Sequence, residues 1–211
     1  MNRFDLDVLR TRRCTRRTAL AGMLGTVLAL AACDSSPRPA FENTDVTGAD
    51  FAGDFHLTGH DGKPRSLADF RGKAVVVFFG YTQCPDVCPT TMSELAETMQ
   101  LLGADADRVQ VLFITVDPER DTPELLASYV PAFDPRFLGL YGDLEATERT
   151  AKAFRVFYQK VPGKTPGSYS VDHTAGCFIY DPRGRLRLFT RHGAGPESVA
   201  HDLRILLKEN G

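Results

Sequence analysis

Residues 78–94 read Phe-Phe-Gly-Tyr-Thr-Gln-Cys-Pro-Asp-Val-Cys-Pro-Thr-Thr-Met-Ser-Glu, with Cys84 and Cys88 four residues apart. The stretch completes an apolar run, Ala74 to Phe79, which predicts a fully buried strand. Downstream, Met92, Leu95, Ala96, Met99 and Leu102 recur at helical spacing until Gly103, which predicts an amphipathic helix closed by that glycine. Two thiols at a strand-to-helix turn lie beside the positive end of a helix dipole and are expected to be thiolates. A thiolate pair can hold a soft metal ion or exchange with a disulfide.

Working outward, Phe55–Thr58 and Arg65–Leu67 flank the turn residues Gly59–Pro64 and predict a small hairpin. Val109–Val116 is a second apolar, β-branched run and predicts another buried strand. A loop, Asp117–Pro123, follows it, with Thr122 as helix N-cap and Pro123 as first helical residue of a segment running to about Tyr129. A short strand is expected at Phe137–Tyr141, a helix at Asp143–Phe154, a strand at Arg155–Val161 and an exposed loop at Pro162–Ser170. Thr174–Tyr180, the turn Asp181-Pro182-Arg183-Gly184 and Arg185–Thr190 predict a hairpin, and Pro196–Lys208 a final amphipathic helix. This order matches an α/β, thioredoxin-like sandwich, a central mixed β-sheet flanked by helices. In that arrangement the end of the Ala74 strand and the residues before Thr174 meet at one edge of the sheet.

The chain has 211 residues, 43% of them hydrophobic, enough for one ordinary domain after removal of a targeting segment. Its formal charge of −2 conceals an asymmetry: residues 1–33 carry +4 and the remainder −6, so no nucleic-acid footprint is expected. Arg10–Arg17 is basic and Ala19–Ala32 is an uncharged apolar run of 14 residues. A membrane span needs about 20 residues, so the run reads instead as a secretory signal. It ends Leu30-Ala31-Ala32-Cys33, which resembles the bacterial lipobox, and the resemblance implies a lipid on Cys33. Thr15–Leu20 also resembles a twin-arginine export signal, and Asp34 after the cysteine resembles an inner-membrane retention signal. The expected organisation is therefore a lipoprotein-type signal at 1–33, a flexible tether at 34–50 and a domain of thioredoxin-like fold at 51–211. The expected location is the outer face of the cytoplasmic membrane, periplasmic in a Gram-negative host, with the lipid as anchor.

Residues i and i+4 of a helix share a face, with Cβ atoms about 5–6 Å apart, so Cys84 and Cys88 can approach one small ion or join as a disulfide. A bridge closing so short a loop constrains little of the unfolded chain. The spacing is not the Cys-x-x-Cys of dithiol oxidoreductases, and two thiolates alone make an incomplete metal site. His173, with Asp172 beside it as an orienting or charge-balancing neighbour, is the natural third ligand. Two thiolates and an imidazole favour Cu(I), can stabilise Cu(II) and could take Zn²⁺.

Three segments carry a closer resemblance: Gly80–Pro89 (GYTQCPDVCP), Val116–Pro123 (VDPERDTP), and Val171–Thr174 (VDHT) with Asp181–Gly184 (DPRG). In this order they resemble the Sco/SenC family, over roughly Phe51 to Leu207. The resemblance implies a membrane-tethered copper chaperone that delivers copper to the dinuclear copper centre of cytochrome c oxidase, its partner being the copper-accepting subunit. It places the copper ligands on Cys84, Cys88 and His173. Many relatives use a transmembrane helix where this chain has a lipobox, and Cys177 lies outside the family's motif. The rival reading is a thiol–disulfide oxidoreductase, with Cys84 and Cys88 as the redox pair that reduces the cysteines of the accepting subunit; a thiol peroxidase fits the fold class but leaves the histidine unused.

The remaining residues receive blander readings. Cys177 shares strand parity with His173 but reads as a buried small hydrophobe. Asp117, Arg120 and Asp121 read as a loop pinned by an Arg–carboxylate pair. Arg183, Arg185 and Arg187 read as a solvated hairpin, and His56, His60, His192 and His201 as solvent-facing. A monomeric metallochaperone, not a turnover enzyme, is the expectation.

Overall fold

Every residue of the run Ala74–Gly80 is buried, because this strand has a neighbour along both edges and helices over both faces. In the computed structural model, which describes residues 40–209, the main sheet comprises β1 (Thr44–Asp45), β2 (Leu57–Gly59), β3 (Pro64–Arg65), β4 (Ala74–Gly80), β5 (Val109–Thr115) and β6 (Leu138–Tyr141). It is completed by β9 (Gly176–Tyr180) and β10 (Leu186–Arg191), in the order β1-β10-β9-β4-β5-β6-β2-β3. A separate two-stranded sheet pairs β7 (Tyr158–Pro162) with β8 (Tyr169–His173). The helices are α1 (Val87–Leu102), α2 (Pro123–Tyr129), α3 (Leu144–Ala153) and α4 (Pro196–Glu209). The leader, the lipobox with Cys33 and the first part of the expected tether lie outside the described residues.

The sheet is mixed, with β4 parallel to β5 and antiparallel to β9. Register assigns its faces. Phe78 pairs with Phe113 and Cys177, so these three share one face, which also meets Tyr129 of α2 through Phe113. The opposite face carries Phe79 and Phe178 under Phe154, with ring centroids 5.1 and 5.4 Å apart. Each fully buried Val, Leu or Phe contributes roughly 1.5–3 kcal/mol, so the strand that ends in the cysteine loop ties that loop firmly to the core. This is the thioredoxin-like sandwich read from the order of elements.

Local chemistry sets the helix ends. Gly103 closes α1 at φ 57°, in the left-handed region a glycine enters without strain. The Thr122 hydroxyl accepts the Leu125 amide at the start of α2, and Pro123 occupies the first helical position, as the sequence predicts.

Five readings are corrected. The docked chain begins before Phe51: β1 pairs with β10, and the buried Asp202 carboxylate of α4 accepts the Glu42 and Asn43 amides, both at 2.9 Å. The segment Pro162–Ser170 is not all loop, since Pro162, Tyr169 and Ser170 lie in paired strands. Consequently His173 ends one strand while Cys177 belongs to another sheet, and the parity argument linking them fails. Arg187 is not solvated: the fully buried Asp181 carboxylate, 3.5 Å from its Nη1, draws it inward, where it also meets Glu209 at 2.7 Å and Thr47 at 3.0 Å. His60 is half-buried, its Nδ1 accepting the Gly139 amide at 3.0 Å.

Candidate metal centre

The buried strand β4 ends at Gly80, and the chain turns through Tyr81–Asp86 before α1 begins. Cys84 lies in that turn, half-buried, and Cys88 is the second residue of α1, fully buried. The first helical turn places their groups together: the Cys88 amide lies 3.4 Å from Cys84 Sγ and points at it. Such an amide, unpartnered within its own helix, favours a negatively charged sulfur.

Gly80 makes room for this turn. A Cβ there would lie 2.9 Å from the Phe113 ring, and 3.0 Å from both Cys88 Sγ and the Phe78 ring. The sulfur of Cys88 therefore occupies space that only glycine leaves open. Composition gave no sign of this; it emerges only when the sheet face and the helix are brought together.

His173, at the end of β8, reaches the cysteines from the other side. Its Nε2 lies 3.4 Å from Cys88 Sγ, and its Nδ1 lies 3.1 Å from the Thr174 carbonyl oxygen. A carbonyl only accepts, so Nδ1 carries the proton and the Nε2 lone pair faces the sulfurs. The imidazole is held edge-on by Phe78 and Tyr81, at 6.1 and 6.0 Å between ring centroids. Asp172 does not orient the ring by a hydrogen bond: it points to solvent on the other face of β8, and the Thr174 carbonyl takes that role. The donor atoms of Cys84, Cys88 and His173 all lie within 4.8 Å of one another, the one such cluster of metal-ligating groups among the described residues.

Burial decides the protonation of the two enclosed groups. Desolvation pushes the Cys88 thiol well above its ordinary range, outweighing the single backbone hydrogen bond from Tyr81. The expectation of a standing thiolate at this position thus fails in the metal-free chain; a cation must displace the proton. Burial lowers the His173 pKa, opposed by the Thr174 carbonyl and by Asp172, so the ring is a neutral ligand at neutral pH. Two sulfurs and one imidazole nitrogen suit a soft ion such as Cu(I), or Zn²⁺.

Cys177 stays apart. It is buried on β9 and lines a water-sized cavity of about 20 Å³ with Thr91, Leu95 and Thr190. Burial raises its thiol to about 12, as befits the small hydrophobe expected from the sequence.

A second layer surrounds the site. Asp121, fully buried, accepts the Thr82 amide and hydroxyl and the Thr115 hydroxyl, the last two at 2.6 Å, and so fixes the start of the cysteine turn. Asp117 is paired with Arg120 and accepts the Tyr169 hydroxyl at 2.8 Å. The Arg–carboxylate pair was legible in the sequence, but its contact with Tyr169 was not. The alternation Tyr169-Ser170-Val171-Asp172-His173 is the period-2 signal that would have revealed β8.

The sequence pattern of the SCO1/SenC family matches residues 43–208. The chain belongs to the SCO1/SenC family. Among curated relatives, this SCO1/SenC chain is 37% identical over 199 residues to the mitochondrial SCO2 homolog of Bos taurus, covering 93% of the chain and 75% of the relative. It spans 60% and 58% of the lengths of the mouse and human SCO2 homologs. Among solved structures, ScoI of Bradyrhizobium japonicum with copper bound is 42% identical, with a TM-score of 0.68 over 74% of this chain and 98% of that one. Apo Sco1 of Thermus thermophilus is 43% identical, with a TM-score of 0.72 over 81% of this chain and 99% of that one. The match begins at residue 43, where the SCO1/SenC chain docks through Asp202, and not at Phe51.

Proposed function

We propose that this chain binds copper through Cys84, Cys88 and His173 and delivers it to the dinuclear copper centre of cytochrome c oxidase. The observation that carries the reading is the convergence of two sulfurs and an imidazole Nε2, with Nδ1 already committed to a carbonyl. Cu(I) accepts low coordination numbers and soft donors. Half-exposed Cys84 gives a recipient's thiolates a route to displace the ligands one at a time. Family membership and the copper-bound relative support the same assignment. Copper is cargo here, so no turnover chemistry is invoked.

The chain acts at a membrane surface, anchored by a lipid on Cys33 after export, as a monomer. Replacing Cys33 with Ala in the full chain should abolish incorporation of a labelled fatty acid and release the protein from the membrane fraction. Retention of both would remove the lipid anchor from this account.

The metal assignment is tested on reduced, full-length protein in detergent, titrated anaerobically with Cu(I) against a competing chelator. One tightly held copper per chain, weakened at least a hundredfold by His173→Ala, is expected. Copper binding indifferent to His173 moves the weight to the second reading, reduction of a disulfide in the copper-accepting subunit. That reading is favoured by one feature: an accessible Cys84 beside a buried Cys88, an arrangement of attacking and resolving sulfurs.

A further inference from the structure

The two cysteines and the histidine stand on supports of different kinds. Cys84 and Cys88 follow directly from the central strand β4, whereas His173 ends a two-stranded sheet that shares no ladder with the main one. Something other than backbone pairing must fix the β7–β8 hairpin against the cysteine turn. Arg120 is placed to do this. Its Nη1 donates both to the Tyr169 carbonyl at 2.9 Å and to Gln83 Oε1 at 3.2 Å, the residue before Cys84. Its guanidinium carbon lies 3.6 Å from the centroid of the Tyr169 ring and 5.6 Å from that of Tyr81. Its Nε pairs with the fully buried Asp117, which also accepts the Tyr169 hydroxyl at 2.8 Å. One planar cation therefore holds the loop after β5, the first residue of β8 and the turn that carries Cys84.

We propose that Arg120 is a positioning residue, a clamp that holds the hairpin closed so that His173 stays on the metal, and that it governs how long copper is retained. The inference rests on the copper reading for its consequence but not for its geometry. Lysine cannot replace it, because an ammonium lacks the fork that reaches two acceptors while stacking on a ring. With the clamp gone, the hairpin keeps the Tyr169 hydroxyl on Asp117, the exposed Lys160–Glu119 pair, the burial of Val171 and the packing of His173 against Phe78 and Tyr81, none of which ties it to the residue before Cys84.

The test uses full-length protein in detergent, as wild type, Arg120→Ala, Arg120→Lys and Tyr169→Phe, each with and without His173→Ala. In the metal-free state, amide hydrogen exchange at residues 169–173 should quicken tenfold or more in Arg120→Ala while amides of β4 are unchanged. Cu(I) release to a chelator should quicken at least tenfold, and that factor should vanish when His173 is already Ala, a non-additivity that mere destabilisation does not produce. Should Arg120→Ala fail to fold, Tyr169→Phe, which removes only the hydroxyl donated to Asp117, should quicken both by at least threefold. Exchange within twofold of wild type, or equal acceleration with and without His173, would overturn the clamp. A wild-type chain that holds no Cu(I) overturns the copper reading alone, and the exchange measurement still decides the clamp.

Discussion

The sulfur of Cys88 lies 3.0 Å from the point where a side chain on Gly80 would begin. The last residue of the central strand and the second residue of α1 are thus fitted to one another without spare space. Gly80→Ala forces either the sulfur or the rings of Phe78 and Phe113 to move, and overpacking of this kind costs about 1–3 kcal/mol. Urea unfolding should report that loss, and Cu(I) competition should show weaker binding in the same protein. Unchanged copper affinity would mean that the sulfur can give way freely.

Copper affinity should depend on pH with a definite sign. Burial holds the Cys88 proton on above neutrality, and a metal must release it. The conditional Cu(I) affinity should therefore climb between pH 6 and pH 8 by at least about tenfold per pH unit. A flat profile would remove Cys88 from the ligand set.

Cys177→Ala offers the contrasting case. It removes a buried sulfur beside an existing small cavity, at a cost of about 1 kcal/mol in thermal or urea unfolding. Copper stoichiometry and affinity should stay within twofold of wild type, measured by the same competition.

Acid stability should reflect Asp181. Burial alone would raise its carboxyl, but hydrogen bonds from the Arg185 side chain and amide and from the Arg183 amide prevail and hold it below the usual range. A depressed folded pKa gives stability that is present above the unfolded value of about 3.9 and lost as pH falls through the folded one. Asp181→Asn should cost about 3 kcal/mol at pH 7, with the deficit narrowing below about pH 4. Unfolding curves at pH 7 and pH 3 make the comparison.

The strands that build the core were legible because they are almost wholly apolar and buried: Ala74–Gly80 is buried throughout, and in Val109–Thr115 only Gln110 is partly exposed, so neither needs a partner to be recognised. The ligands were legible because sulfur and imidazole are chemically scarce and their flanking motifs distinctive. The hairpin β7–β8 was harder to see. It is mostly exposed, and Pro162, Pro166 and two glycines mask a pairing that side-chain hydroxyls and a cation help to hold. The clamp at Arg120 joins residues 83, 117 and 169, a juxtaposition that no local pattern encodes. Protonation of Cys88 was misread because the helix terminus is visible in sequence and the dryness around it is not.

The Asp202 clasp on Glu42 and Asn43 also has a mechanical meaning. Any pull on the chain upstream of residue 40 is received by α4 and by the edge strand β1, which stands three places from β4 in the sheet. Load enters through α4, which packs against α1, the helix that carries Cys88. Tugging at the N-terminal side thus shears the rim of the sheet at β1 and reaches the thiol end of the site by way of two packed helices.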